Sequence, residues 1–136
     1  MASKAYLENL DTITAIPSDV VPMTGYTDET PAVIDRTTDV GSENAIGCDR
    51  VQVFADISSG PSAATALDVY VEWSFNSTDY SAKEYAGTIP VAVSQTGYTV
   101  PTTVLLVAPY CKLYLQAPSA ILTCTTYASP EQWEGQ

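Results

Sequence analysis

From Cys48 onward apolar and polar residues alternate with period two, the mark of strands that bury one face. In residues 50–57 the apolar face is Val51, Val53, Ala55 and Ile57, and the run Ser58-Ser59-Gly60-Pro61-Ser62 then breaks the strand. The clearest strand covers 67–75. Leu67, Val69, Val71, Trp73 and Phe75 form a wholly apolar face, while Asp68, Tyr70, Glu72 and Ser74 form the other. Asn76-Ser77-Thr78-Asp79 predicts a turn, because short polar side chains hydrogen-bond their own backbone. A further extended segment runs from Tyr85 through Ile89, Val91 and Val93; Pro90, which cannot donate to a ladder, marks it as an edge. Thr96-Gly97 is a turn signal. Val100 and residues 104–107 predict another strand region, which Ala108-Pro109 ends. Residues 110–117 and 120–127 predict a hairpin around Pro118-Ser119. Pairing Ala117 with Ala120 turns Cys111, Leu113, Leu115, Leu122 and Cys124 inward and sends Lys112, Tyr114, Thr123 and Thr125 outward.

Residues 1–47 have a different texture, with Pro17, Pro22 and Pro31, eight of the chain's sixteen acidic residues and only scattered apolar positions. They predict an extended N-terminal arm and edge segments. A short helix over residues 4–10, capped by Ser3, would bury Tyr6, Leu7 and Leu10, and two turns of helix need a partner surface to persist. Residues 12–16 read as a strand ended by Pro17, and 32–34 as a brief extended piece. Residues 129–136 form a polar tail that carries Trp133. The organisation expected is therefore an arm at 1–47, a sandwich core at 48–128 and a tail at 129–136. Seven or eight short strands at about ten-residue spacing, with no long helix, predict an all-β antiparallel β-sandwich, jelly-roll or immunoglobulin-like, with a closed barrel as the alternative.

Size and composition agree with one packed core: 136 residues, 46% hydrophobic and 15% charged. Charge narrows the partners. Sixteen acidic against five basic residues give −11, which a phosphate backbone would repel, so nucleic acid is excluded as a partner. The chain has no histidine, which removes the commonest general base, the usual triad partner and the commonest zinc ligand. No GxGxxG, P-loop, GxSxG or HExxH motif occurs. The expectation is a protein with no enzymatic activity, no cofactor and no metal. The first residues lack the apolar stretch of a secretory signal and no long apolar run follows, which predicts synthesis in a cytoplasm and no membrane partner. Cys48, Cys111 and Cys124, odd in number and without CxxC spacing, read as buried thiols. Asn76-Ser77-Thr78 fits the glycosylation pattern but is assigned no glycan, since its turn chemistry accounts for it.

Candidate chemistry is sparse. Asp68 and Glu72 share a strand face about 13 to 14 Å apart, too far for one metal ion or for a glycosidase pair. Asp79 with Glu84, or Asp28 with Glu29, supply loop oxygens of the kind calcium takes, though no DxDxDG loop is present. The nine tyrosines are more informative. Tyr70, Tyr80, Tyr110 and Tyr114 fall on outward or loop positions, where amphipathic aromatics serve interfaces. Trp73 falls on the inward phase. Trp133 in its polar tail, with Tyr6, Leu7 and Leu10 in the arm, are the expected subunit-interface anchors, being apolar residues in segments too polar to form their own core.

The stretch Ala66-Leu67-Asp68-Val69-Tyr70-Val71-Glu72-Trp73-Ser74-Phe75-Asn76-Ser77-Thr78-Asp79-Tyr80, followed by Val107-Ala108-Pro109-Tyr110-Cys111-Lys112-Leu113-Tyr114-Leu115-Gln116-Ala117, resembles the small β-sandwich virion proteins of tailed bacteriophages. The resemblance spans roughly residues 50 to 128. It implies an accessory structural protein, of the capsid decoration or head-fibre type, that binds the outer surface of an assembled shell. Its implied partners are the major capsid protein or other virion subunits, its implied state a homo-oligomer or lattice, and its implied location the virion after synthesis in the host cytoplasm. No catalytic residue comes with it. The alternative is a carbohydrate- or receptor-binding β-sandwich module of a phage tail or fibre, which an aromatic row on a sheet face would favour.

Overall fold

The computed structural model describes residues 12–37 and 45–131. Among these the elements are all strands: β1 (Ile13–Val21), β2 (Ile34–Asp35), β3 (Arg50–Ser59), β4 (Thr65–Ser74), β5 (Glu84–Val91), β6 (Gly97–Tyr98), β7 (Thr102–Leu105), β8 (Tyr110–Gln116) and β9 (Leu122–Glu131). They form two antiparallel sheets packed face to face. The first has the order β1-β9-β3, with β6 and β7 both paired to the far edge of β3; the second has the order β2-β8-β4-β5. Because β6 meets Asp56 and Ile57 while β7 meets residues 50–53, the two are pieces of one interrupted strand. Counted as one, they reduce nine strands to eight, in the order 1-8-3-6 against 2-7-4-5. That is the jelly roll, and it decides between the sandwich topologies the sequence left open.

Alternation builds the core. Val51, Val53, Ala55 and Ile57 are all buried, as are Leu67, Val69 and Val71 opposite them and Cys111, Leu113 and Leu115 beside those. Each Val, Leu or Ile among them contributes about 1.5–3 kcal/mol when taken fully out of water. The sandwich also reaches further toward the N-terminus than residue 48. Ile13, Ala15, Ile16 and Val21 of β1 and Ile34 of β2 lie in the same core, each strand at the edge of its sheet.

Four local expectations are corrected. The predicted hairpin of residues 110–127 is a corner: β8 pairs with β2 and β4, while β9 pairs with β1 and β3 in the other sheet. The inward residues are as expected, because a corner between facing sheets and a hairpin within one sheet both point the two apolar faces at the same core. Phe75, expected in the core, is 78% exposed, and Trp73 is half-buried. The strand has already ended there. The buried Ser74 hydroxyl accepts from the backbone N–H groups of Asn76 at 3.2 Å and Ser77 at 2.9 Å, turning the chain before Phe75 can point inward. Pro17 does not end β1, which continues to Val21 through two register shifts, an irregularity an edge strand tolerates. Val93 lies beyond β5 and is exposed.

The Asn76 turn is built as the sequence predicts. Its Oδ1 accepts from the backbone N–H of Thr78 at 2.9 Å and of Asp79 at 2.8 Å, and its Nδ2 donates to Asp79 Oδ2 at 2.9 Å. Ser77 takes the left-handed conformation, φ 64°.

Candidate functional site

The two outer sheet faces concentrate the aromatic residues, and they use them differently. On the second sheet, Tyr70 lies opposite Tyr114, and Glu72 opposite Lys112. The segment 22–30 folds over this face. Thr27 holds it by a reciprocal pair: its N–H donates to the Leu115 carbonyl at 3.1 Å, and its Oγ1 accepts from the Leu115 N–H at 3.0 Å. Tyr26 then packs edge-on against Tyr70, with centroids 5.1 Å apart, and near Tyr114 at 6.3 Å. Tyr114, expected to be outward, is indeed on the outer face but is buried beneath this cover.

Lys83 supplies the charge at the centre. Its Nζ lies 3.3 Å from Glu72 Oε2 and 3.5 Å from Glu29 Oε1, and stands over the rings of Tyr114 and Tyr26 at 4.3 and 4.9 Å. Glu72 Oε1 accepts the Tyr114 hydroxyl at 2.7 Å. Burial pushes the Tyr114 phenol well up from its ordinary value, and the Glu72 hydrogen bond and charge add to the rise. A phenol held protonated this firmly is no general base. For Lys83 burial acts downward, but the hydrogen bond and charge of Glu72, with Glu29, outweigh it and raise the ammonium. The cluster fastens segment 22–30 to the sheet.

The other carboxylates weighed from the sequence are each taken up by a separate polar partner. Asp68 Oδ1 accepts from the Thr88 hydroxyl at 3.0 Å, and that hydroxyl is also bonded to the Tyr85 hydroxyl. Glu84 accepts from Trp73 Nε1 at 2.9 Å, Asp79 from Asn76 and Asp28 from Thr30. Among the described residues no group of three or more Cys, Asp and Glu is placed to hold a metal ion. Cys48, Cys111 and Cys124 are free, buried thiols, as expected.

The first sheet presents an open aromatic group that the sequence reading passed over. Phe54 of β3 lies directly opposite Tyr127 of β9, their rings stacked with centroids 5.5 Å apart and 27° between planes. Tyr98 of β6 meets Phe54 at 5.9 Å and 64° and is 69% exposed. Thr12 and these three rings line a recess of about 480 Å³. The signal was available. Phe54 sits between the inward Val53 and Ala55, and Tyr127 between the buried Thr126 and Ala128, so each is a large aromatic on the phase that alternation assigns to solvent. The interface anchors expected from sequence, Tyr6, Leu7, Leu10 and Trp133, lie outside the described residues, as does the helix expected over 4–10.

No helix among the described residues is long and apolar enough to cross a membrane. No family model matches the chain. No curated protein matches it either.

Proposed function

We propose that this chain is a non-enzymatic virion structural protein, a capsid decoration or cement protein that binds an assembled phage shell and stabilises it. The observation that carries the reading is the placement of the two stretches that resemble phage virion proteins. They fall on β4 with its following turn and on β8, which are hydrogen-bonded neighbours from Asp68 opposite Gln116 to Ser74 opposite Tyr110. The resemblance therefore maps onto one continuous patch of sheet. The jelly roll serves viral capsid domains and lectins alike, so the fold is compatible with the reading without selecting it. Val100, Leu105 and Val107 are each more than half exposed and offer apolar surface to a neighbouring subunit.

The test is co-sedimentation of the full chain with phage particles stripped of it. The chain is expected to pellet with the particles and to raise the temperature at which they release their genome. Trp133→Ala, and the triple change of Tyr6, Leu7 and Leu10 to Ala, are expected to abolish pelleting while leaving the unfolding midpoint in place. A chain that stays in the supernatant, or particles equally heat-resistant without it, would overturn the proposal. The aromatic recess on the first sheet favours a second reading, a carbohydrate-binding module of a tail or fibre.

A further inference from the structure

The recess on the first sheet has features beyond exposed apolar surface. Side chains on one strand face recur every second residue, so Gln52 and Asp56 flank Phe54 along β3, and Thr125 and Ser129 flank Tyr127 along β9. Across the ladder Gln52 lies opposite Ser129, and Asp56 opposite Thr125. A polar pair thus closes each end of the aromatic pair. At one end the Gln52 amide is already fixed: its Nε2 donates to Glu131 Oε1 at 2.7 Å, its Oε1 accepts from the Thr103 hydroxyl at 3.1 Å, and Arg50 Nε bonds the same Glu131 oxygen at 3.3 Å. At the other end the side chains of Asp56 and Thr125 take no hydrogen bond from any described residue. Tyr98 is opposite Asp56 in the β3–β6 ladder, and its ring meets those of Phe54 and Tyr127 at 5.9 and 6.5 Å.

An aromatic patch with polar groups at its rim suits a ligand that has an apolar ring face and a polar edge. A pyranose and a nucleobase both qualify, since the negative face of an aromatic ring attracts the weakly positive C–H groups of a sugar and also stacks on bases. Charge separates them. The chain carries −11, and Asp56 and Glu131 lie on the same outer sheet face on either side of the aromatic pair, so a ligand strung on phosphates is repelled. Size separates a sugar from a protein. A stable protein partner needs about 800 Å² on each side, roughly 20–30 residues, whereas the recess is lined by four.

We infer that this recess binds one neutral pyranose unit of a glycan, stacked on Tyr98 and framed by Phe54 and Tyr127. Asp56 and Thr125 accept and donate hydrogen bonds to its hydroxyl groups, and the fixed Gln52 amide marks the far limit of the site. The inference rests on the carbohydrate-binding reading, to which it adds the site and the ligand chemistry. It is independent of docking to a shell.

The experiment is an NMR titration of the isotope-labelled full chain with cellohexaose, maltohexaose and tetra-N-acetylchitotetraose, with heparin as the anionic control. At least one neutral oligosaccharide is expected to shift Phe54, Tyr98, Tyr127, Asp56 and Thr125 together, and heparin to leave them unmoved. Tyr98→Ala, at an exposed position, is expected to weaken that binding roughly tenfold, and Tyr98→Phe to restore it. An unchanged denaturation midpoint for both variants separates loss of binding from loss of fold. Saturable shifts confined to another face would overturn the assignment of the site while leaving the carbohydrate-binding reading in place. No shift with any of the three neutral probes would overturn both. Shifts of the same residues on raising protein concentration without sugar would make the face a self-contact and overturn the inference as well.

Discussion

Tyr114 and Glu72 sit on the outer face of the second sheet, yet the Tyr114 hydroxyl donates to Glu72 at 2.7 Å from a side chain only 2% exposed. Tyr26 and Lys83 make this possible by covering the ring, so the solvent side of the sheet has a small interior of its own. Segment 22–30 is thereby coupled to β4 and β8, the two neighbouring strands of the second sheet.

Removing the hydroxyl alone tests that coupling. Tyr114→Phe keeps the ring packing and the Lys83 contact but leaves one Glu72 oxygen without its donor. Hydrogen bonds to charged groups are worth about 1.5–3 kcal/mol, and Lys83 still pairs with the other oxygen, so a loss of about 1–2 kcal/mol is expected. Urea denaturation reads it directly; a midpoint equal to wild type would show that the bond contributes nothing net.

The same cluster predicts how stability depends on alkaline pH. The folded state raises both Tyr114 above its ordinary value of 10.0 and Lys83 above 10.5, so between the unfolded and folded values it holds more protons than the unfolded chain. With more protons bound in the native state, stability falls as pH rises. The contribution is complete below the unfolded values and is lost progressively as pH rises from them through the folded ones. Because the three buried thiols are also raised, from 9.0, unfolding midpoints are expected to be flat from about pH 6 to 8 and to fall beyond about pH 9, with a shallower fall above about pH 10 in Tyr114→Phe. A wild-type curve no steeper than the variant's would contradict this origin.

How much of this was readable beforehand depended on whether alternation alone decides a position. It does for Val51, Val53, Leu67, Val69, Leu113 and Leu115, whose burial requires only a strand and a facing sheet. It does not for Tyr114, because the cover comes from Tyr26 and Lys83, 88 and 31 positions away in the chain, and no local pattern reports them. Phe75 fails for a local reason: the Ser74 hydroxyl captures two backbone donors and stops the strand one residue short. The pairing of β8 and β9 with different sheets was hidden because the inward residues are the same either way. Phe54 and Tyr127 were legible as outward aromatics, but that they meet each other and Tyr98 depends on the β3–β9 and β3–β6 registers.

The thiols are expected to be inert in the folded protein. Burial pushes Cys111 up to about 12, and burial is the largest cause for Cys48 and Cys124, which rise to about 11. At pH 8 a group of pKa 11 is ionised in about one molecule in a thousand, and the thiolate is the reactive form. Ellman's reagent should find almost no reactive thiol in native protein and all three after denaturation in guanidinium. Rapid native labelling of any one would show that its cover opens.

The last prediction separates two glycines that touch neighbours for different reasons. A Cβ on Gly60, between β3 and β4, would lie 2.5 Å from the Gln95 carbonyl oxygen and 2.7 Å from the Ser94 carbonyl carbon. These are backbone atoms of a turn pinned in place. Ser94 N–H donates to Pro61 O at 2.8 Å, the Ala92 N–H to Gln95 Oε1 at 2.9 Å, and Ser94 itself is in the left-handed region, φ 59°. A Cβ on Gly87, where β5 approaches β7, would instead meet the Thr102 hydroxyl oxygen at 2.7 Å, a side-chain atom that rotation about χ1 can withdraw. Overpacking against a fixed neighbour costs about 1–3 kcal/mol, and forcing one rotamer about 0.5–1.5 kcal/mol. Gly60→Ala should therefore lower the urea midpoint clearly more than Gly87→Ala. The reverse order would mean that the Ser94 turn yields and that the β5–β7 approach is the tighter of the two joints.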